Sequence, residues 1–143
     1  MLQTTTQYDY IFAGFGMSAC HVLLEMAANG LLDDRRVLIL ESRLHRVDKS
    51  WSFWNHENSR FASVVSKSWK QGVFVTDDAA IECVAPYFTY QYTTSDDFIG
   101  HTKKQLQAFP TIEFIDARML SWNDTGLDVV VESDKGQYTG RHL

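Results

Sequence analysis

Cysteine is scarce in this chain: two occur in 143 residues, Cys20 and Cys83, 63 positions apart and without a CxxC pair. A disulfide framework and a zinc ribbon are therefore both excluded, and a reducing, cytoplasmic setting is expected. Basic residues are also few, with 13 Lys and Arg against 18 Asp and Glu and a formal net charge of -5. No basic tract stands out, which excludes a nucleic-acid partner, since phosphate backbones are held by clustered Lys and Arg. No uninterrupted apolar run approaches the ~18 residues that a spanning helix needs. The opening MLQTTTQYDY has neither the positive start nor the apolar stretch of a secretory leader. If a membrane matters, the expected place is peripheral, on its inner face. No GxSxG elbow supports serine nucleophile chemistry. His21, His45, His56, His101 and His142 form no HxxxH pair and have no nearby Cys partner, so no metal is expected.

What is present is a globular composition, 45% hydrophobic and 22% charged. Tyr8 to Ala13 is an apolar, aromatic run of strand length that stops at Gly14. From Met17 to Asn29 the polar residues His21, Glu25 and Asn29 recur every fourth position, which predicts a helix buried on most of its circumference. Gly30 follows at the position where a left-handed turn ends helices. Arg36 to Glu41 is a continuous β-favouring run, as expected of a strand covered on both faces. Strand, glycine turn, helix and strand within about 33 residues make a βαβ unit, whose crossover is right-handed in nearly all cases.

The turn carries the chemistry. In YDYIFAGFGMSA, Gly14-x-Gly16-x-x-Ala19 matches the dinucleotide fingerprint, and Glu41 stands 25 positions after Gly16, near where that fingerprint places an acid against a ribose hydroxyl. Gly14 permits the tight turn, Gly16 lets backbone N–H groups approach a pyrophosphate, and Ala19 allows close packing of helix on strand. No Lys or Arg occurs between Tyr10 and Cys20. The positive end of the helix dipole and its unpaired N–H groups must then bind the anion. Alone, the motif reads equally well as an ordinary turn; strand, helix and acid together favour a nucleotide.

Beyond Glu41 comes a long aromatic and polar detour, then a helix near Asp96 to Ala108 and a third parallel strand at Thr111 to Asp116. Three short strands follow, Arg118 to Trp122, Leu127 to Glu132 and Gln137 to His142, broken by Asn123-Asp124-Thr125-Gly126 and Ser133-Asp134-Lys135-Gly136. A β-meander in place of a further βα unit favours FAD over NAD, by fold analogy. The expected class is α/β: an FAD-type Rossmann βαβ unit with a parallel sheet, a β-meander and the start of a substrate-domain sheet. The expected division is 1–55 for the βαβ unit, 56–95 for the start of the substrate-binding part and 96–143 for the remainder of the FAD-binding part.

An FAD fingerprint followed by Asp48-Lys49-Ser50-Trp51-Ser52-Phe53-Trp54 resembles the bacterial lycopene β-cyclases. The resemblance continues through Pro86-Tyr87-Phe88-Thr89-Tyr90-Gln91-Tyr92, Asp97-Phe98 and Gly136-Gln137-Tyr138. It implies a flavoprotein that closes the linear ends of lycopene into β-ionone rings without net oxidation or reduction, using FAD reduced by NAD(P)H, on a lipophilic carotenoid substrate. A carboxylic acid would protonate the terminal double bond. The family's acidic Phe-x-Glu-Glu-Thr stretch has no counterpart in these residues, and family members are considerably longer. The chain is accordingly expected to be an N-terminal piece, inactive alone, and no catalytic residue is assigned.

Arg43, two positions past Glu41, either holds an adenosine phosphate or covers the strand end. Met119 stands where the family's backbone meets adenine, its side chain reading as core. Trp51, Phe53 and Trp54 either line flavin or polyene or simply pack. The acid pairs Asp77-Asp78 and Asp96-Asp97 read as a turn and a helix N-terminus, not as general acids. Two rival readings are a flavin monooxygenase or reductase of the same architecture and a non-catalytic nucleotide-binding module.

Overall fold

Residues 7–42 and 49–143 are described by the structure, a computed structural model. Among them the elements run β1 (Gln7–Ala13), α1 (Met17–Ala28), β2 (Val37–Leu40), β3 (Ser50–Asn55), a 3-10 turn (Ala62–Val64), β4 (Lys67–Trp69), β5 (Gln71–Val75), β6 (Ala80–Val84), β7 (Thr89–Thr94), α2 (Ser95–Leu106), β8 (Ile112–Ile115), β9 (Met119–Asp124), β10 (Val129–Ser133) and β11 (Gly136–His142). They form two units, one of Met1–Val47 with Thr102–Leu143 and one of Asp48–His101.

The first unit is a six-stranded sheet in the order β8-β2-β1-β11-β10-β9. Strands β8, β2, β1 and β11 are mutually parallel, while β9, β10 and β11 form the antiparallel meander. Each expected strand of this unit is present, with ends shifted by a residue or two. Val37, Leu38, Ile39 and Leu40 are all buried, as a strand covered on both faces requires. One face packs Ile11, Leu38, Leu40, Val129 and Val131 into a core that Met119 and Tyr138 border.

Glycines set the turns that the chain could not otherwise make. Gly14 ends β1 at φ +108, a conformation that side-chain-bearing residues rarely adopt. Gly30 closes α1 at φ +69, its N–H donating to Ala27 O at 3.2 Å while Leu31 N–H donates to Met26 O at 2.8 Å, the paired bonds of a Schellman end. The helix itself is less buried than its polar spacing predicts. Cys20, Leu23 and Leu24 are inside, but Val22 is 49% exposed. Apolar residues on a helix's circumference do not guarantee a neighbour to cover them.

The second unit holds the sheet β3-β7-β4 and the separate hairpin β5-β6. Trp51 and Phe61 pack on the buried Phe98 ring, at centroid distances of 5.6 and 5.2 Å. At the start of α2 the Thr94 hydroxyl donates to Asp97 Oδ2 at 2.6 Å and accepts the Asp97 N–H at 3.1 Å, a reciprocal cap. The division differs from the one expected. β3 pairs with β7 along its whole length, so the boundaries fall at 47/48 and 101/102 and not at 55/56 and 95/96. A strand belongs with its hydrogen-bond partner, which lies about forty residues away and leaves no local mark.

Candidate functional site

β1, β2 and β8 are in register, with Ala13 opposite Leu40 and Leu40 opposite Ile115. Their carboxyl ends share one edge of the sheet, the edge at which open α/β sheets receive ligands. The Gly14–Gly16 turn lies on that edge. Gly14 N–H donates to Leu40 O at 2.7 Å and Glu41 N–H to Ile115 O at 3.1 Å, so the turn and the acid are each tied to the next strand.

Glu41 Oε2 accepts the Phe15 N–H at 2.8 Å. The acid thereby braces the turn, a role that the ribose reading of the sequence did not include. Phe15 is buried and meets the Phe114 ring edge-on at 5.0 Å. Lys103 Nζ lies 6.0 Å from the Phe15 ring and 5.9 Å from the Phe114 ring. These three residues escaped the sequence reading. Phe15 occupies a spacer position of the fingerprint, and Lys103 is more than eighty positions from the turn, so neither carries a local signal.

Helix α1 begins at Gly16, which makes no side-chain cap bond, and its first turn contains no acidic residue. Its leading N–H groups and dipole are directed at no carboxylate of the helix, the arrangement that suits an anionic ligand. Gly16 itself has φ -83 and ψ -174, backbone that any residue adopts. A Cβ placed there would meet nothing within 4 Å. Among the described residues nothing in the packing demands glycine at this position; a phosphate-bearing ligand lying on the bare backbone would. Ala19 is half-buried. The residues present therefore fit a dinucleotide such as FAD.

The remaining predicted residues scatter. Met119 borders the hydrophobic core and starts β9, opposite Ser133. Arg43 lies outside the described residues, as does Asp48. Trp51 and Phe53 share one face of β3, and Trp54 points to the other with Ser50 and Ser52. The three aromatics thus cannot line one surface, because successive side chains of a strand alternate. Asp77 and Asp78 occupy the bend between β5 and β6, and Asp96 and Asp97 the first turn of α2. The Cys20 thiol is pushed up to about 11 by burial, which makes it a packing residue and not a nucleophile.

No family model matches the chain, and no curated protein matches it. Among solved structures it is similar to p-nitrophenol 4-monooxygenase PnpA from Pseudomonas putida DLL-E4, at 12% identity and a TM-score of 0.69, over 95% of this chain and 39% of that one. PqsL from Pseudomonas aeruginosa gives 12% identity and a TM-score of 0.70, over 96% of this chain and 41% of that one. The flavin-dependent monooxygenase PieE, solved with FAD and substrate, gives 11% and 0.67, over 96% of this chain and 29% of that one. The fold is thus that of FAD-binding Rossmann-type flavoproteins. The chain spans about two fifths or less of the length of these proteins.

Proposed function

We infer that this chain holds FAD in a flavoenzyme of the lycopene β-cyclase kind. The observation that carries the flavin is the Gly14–Gly16 turn, braced by Glu41 and followed by a helix with no side-chain cap. Gly16 and the first N–H groups of α1 would receive the pyrophosphate, and Lys103 would add positive charge nearby. Glu41 would accept the adenosine ribose hydroxyls and repel a 2′-phosphate, while still holding Phe15 N–H. When bound, reduced FAD supplies negative charge beside a developing carbocation. The reductant would be NAD(P)H.

The substrate assignment rests on the stretch Lys49-Ser50-Trp51-Ser52-Phe53-Trp54, preceded by Asp48, and on Pro86 to Tyr92, which resemble the cyclases. A lipid-soluble carotenoid would place the protein against a membrane; among the described residues no helix is long and apolar enough to cross one. The second reading, a flavin-dependent monooxygenase, is favoured by the fold likeness to PnpA and PieE. The two are separated by expressing the natural protein that carries this chain in lycopene-accumulating bacteria and chromatographing the pigments. Cyclisation gives γ- or β-carotene. Oxygenated or desaturated pigment would move the protein to the redox flavoenzymes.

A further inference from the structure

The chain's asparagines are Asn29, Asn55, Asn58 and Asn123, and of these Asn29 alone is followed by glycine. The side-chain amide of an asparagine is open to attack by the backbone nitrogen of the next residue. Where that residue is glycine, no Cβ obstructs the approach. Asn29 and Gly30 are both exposed at the end of α1, so water reaches the pair. The fold nevertheless holds each reacting group. Asn29 Nδ2 donates to Glu25 O at 2.8 Å, and the Asn29 N–H donates to the same oxygen at 3.1 Å. The Gly30 N–H is occupied by Ala27 O in the Schellman end. Asn29 has φ -103 and ψ 11, near-helical backbone that turns Gly30 N away from Asn29 Cγ. Closing a five-membered ring between them requires rotation about the Asn29 Cα–C bond, which pulls the Gly30 N–H off Ala27 O.

We propose that Asn29–Gly30 is a deamidation site whose rate is set by opening of the α1 end. Once the end opens, Gly30 N gives its proton to a base in the solvent and attacks Asn29 Cγ. The Gly30 N–Cγ bond forms, the Cγ–Nδ2 bond breaks, and the nitrogen takes a proton from water and leaves as ammonia. Water then opens the cyclic imide at either carbonyl. One opening restores the ordinary backbone with aspartate at 29; the other leaves isoaspartate, with an extra carbon in the main chain. No oxidant or reductant enters. The product loosens the end further, because aspartate has no Nδ2–H to give Glu25 O and sets a carboxylate at the negative end of the helix dipole. Helix ends open at a free energy below that of global unfolding. Leu32 opposes the opening here: it is fully buried just past Gly30 and pins the chain as it leaves the helix. The site lies at the opposite end of α1 from the Gly14–Gly16 turn and stands whether or not the chain holds FAD.

The test is incubation of the natural protein that carries this chain at mildly alkaline pH, with peptide mapping by mass spectrometry and isoaspartate labelling by a carboxyl methyltransferase. Asn29 should convert before Asn55, Asn58 and Asn123. It should convert more slowly than in a free peptide of residues 25–33, by about tenfold or more, as an opening free energy of at least about 1.4 kcal/mol requires. Leu32→Val, milder than Leu32→Ala and checked for an unchanged fold by circular dichroism, should speed conversion at Asn29 by about threefold or more and leave Asn58 and Asn123 as they were. Asn29→Asp should speed amide hydrogen exchange at Gly30 by about two- to fivefold. Conversion at Asn29 as fast as in the free peptide would show that the helix end guards nothing. Earlier conversion at another asparagine, or a rate at Asn29 that does not follow Gly30 amide exchange between the parent and Leu32→Val, would equally overturn the proposal.

Discussion

At the scale of single residues, Gly16 and Glu41 separate two kinds of contribution. Gly16 has no packing duty, so Gly16→Val should lower stability by no more than about 1 kcal/mol, the cost of a poorer N-cap residue. The same change should abolish FAD binding, because a branched side chain blocks approach to the backbone N–H groups. Purified Gly16→Val that still carries yellow flavin at full occupancy would remove the turn from the site. Glu41→Ala should be milder towards the ligand, weakening FAD by about 1.5–3 kcal/mol, the value of a charge-assisted hydrogen bond. It should also lower the melting temperature, since Phe15 N–H loses its acceptor. Unchanged affinity in an isothermal titration would leave Glu41 with only the bracing role.

At the scale of elements, the contact between β1 and β11 joins the βαβ unit to the meander. Tyr8 is opposite Gly140, and a Cβ on Gly140 would sit 2.8 Å from Ile11 Cγ1 and 2.9 Å from Ile11 Cδ1. Ile11 is buried, so it has little room to yield. Gly140→Ala should destabilise by about 1–3 kcal/mol, the range for overpacking, as read from urea midpoints; a neutral result would mean that the two strands can separate slightly without loss. The sheet also contains an alkaline weak point. Tyr8 donates its hydroxyl to Glu113 Oε2 at 2.6 Å. Burial first, and then Glu113, raise the Tyr8 pKa above its ordinary value. The folded state thus keeps a proton that the unfolded chain releases near pH ~10. Stability from this group is complete below that pH and falls as pH rises through the folded pKa. Tyr8→Phe should be less stable near neutral pH and should lose less stability between about pH 10 and 12 than the parent does; parallel curves would exclude Tyr8 as the source.

At the scale of the whole molecule, ligand binding and folding are linked. FAD at about one hundred times its dissociation constant should add about 2.7 kcal/mol of stability, which for a chain of this size shifts the melting temperature by several degrees. The shift should be concentration-dependent and absent in Gly16→Val. A shift of equal size in that variant would place flavin elsewhere on the protein.

Much of the first unit was legible in the sequence because its signals are local. Val37 to Leu40 are a buried run, Gly14 and Gly30 sit at positive φ, and the meander strands are bounded by turn residues. Periodicity, turn chemistry and capping each act over fewer than about a dozen residues, and so they can be read along the chain. The same reading overstated the burial of α1, left open whether Trp51, Phe53 and Trp54 line a ligand or pack, and set β3 with the βαβ unit apart from its partner β7. Each of these concerns what a residue faces, and that depends on partners far along the chain. Strand alternation sends Trp54 to the opposite face from Trp51, and pairing with β7 sets it beside Tyr90. Only the tertiary structure could bring Lys103 to Phe15 or aim the Phe15 N–H at Glu41. The physical reason is that the sequence by itself determines local backbone preference, whereas a site is made by long-range strand pairing, which chooses neighbours that no local pattern names.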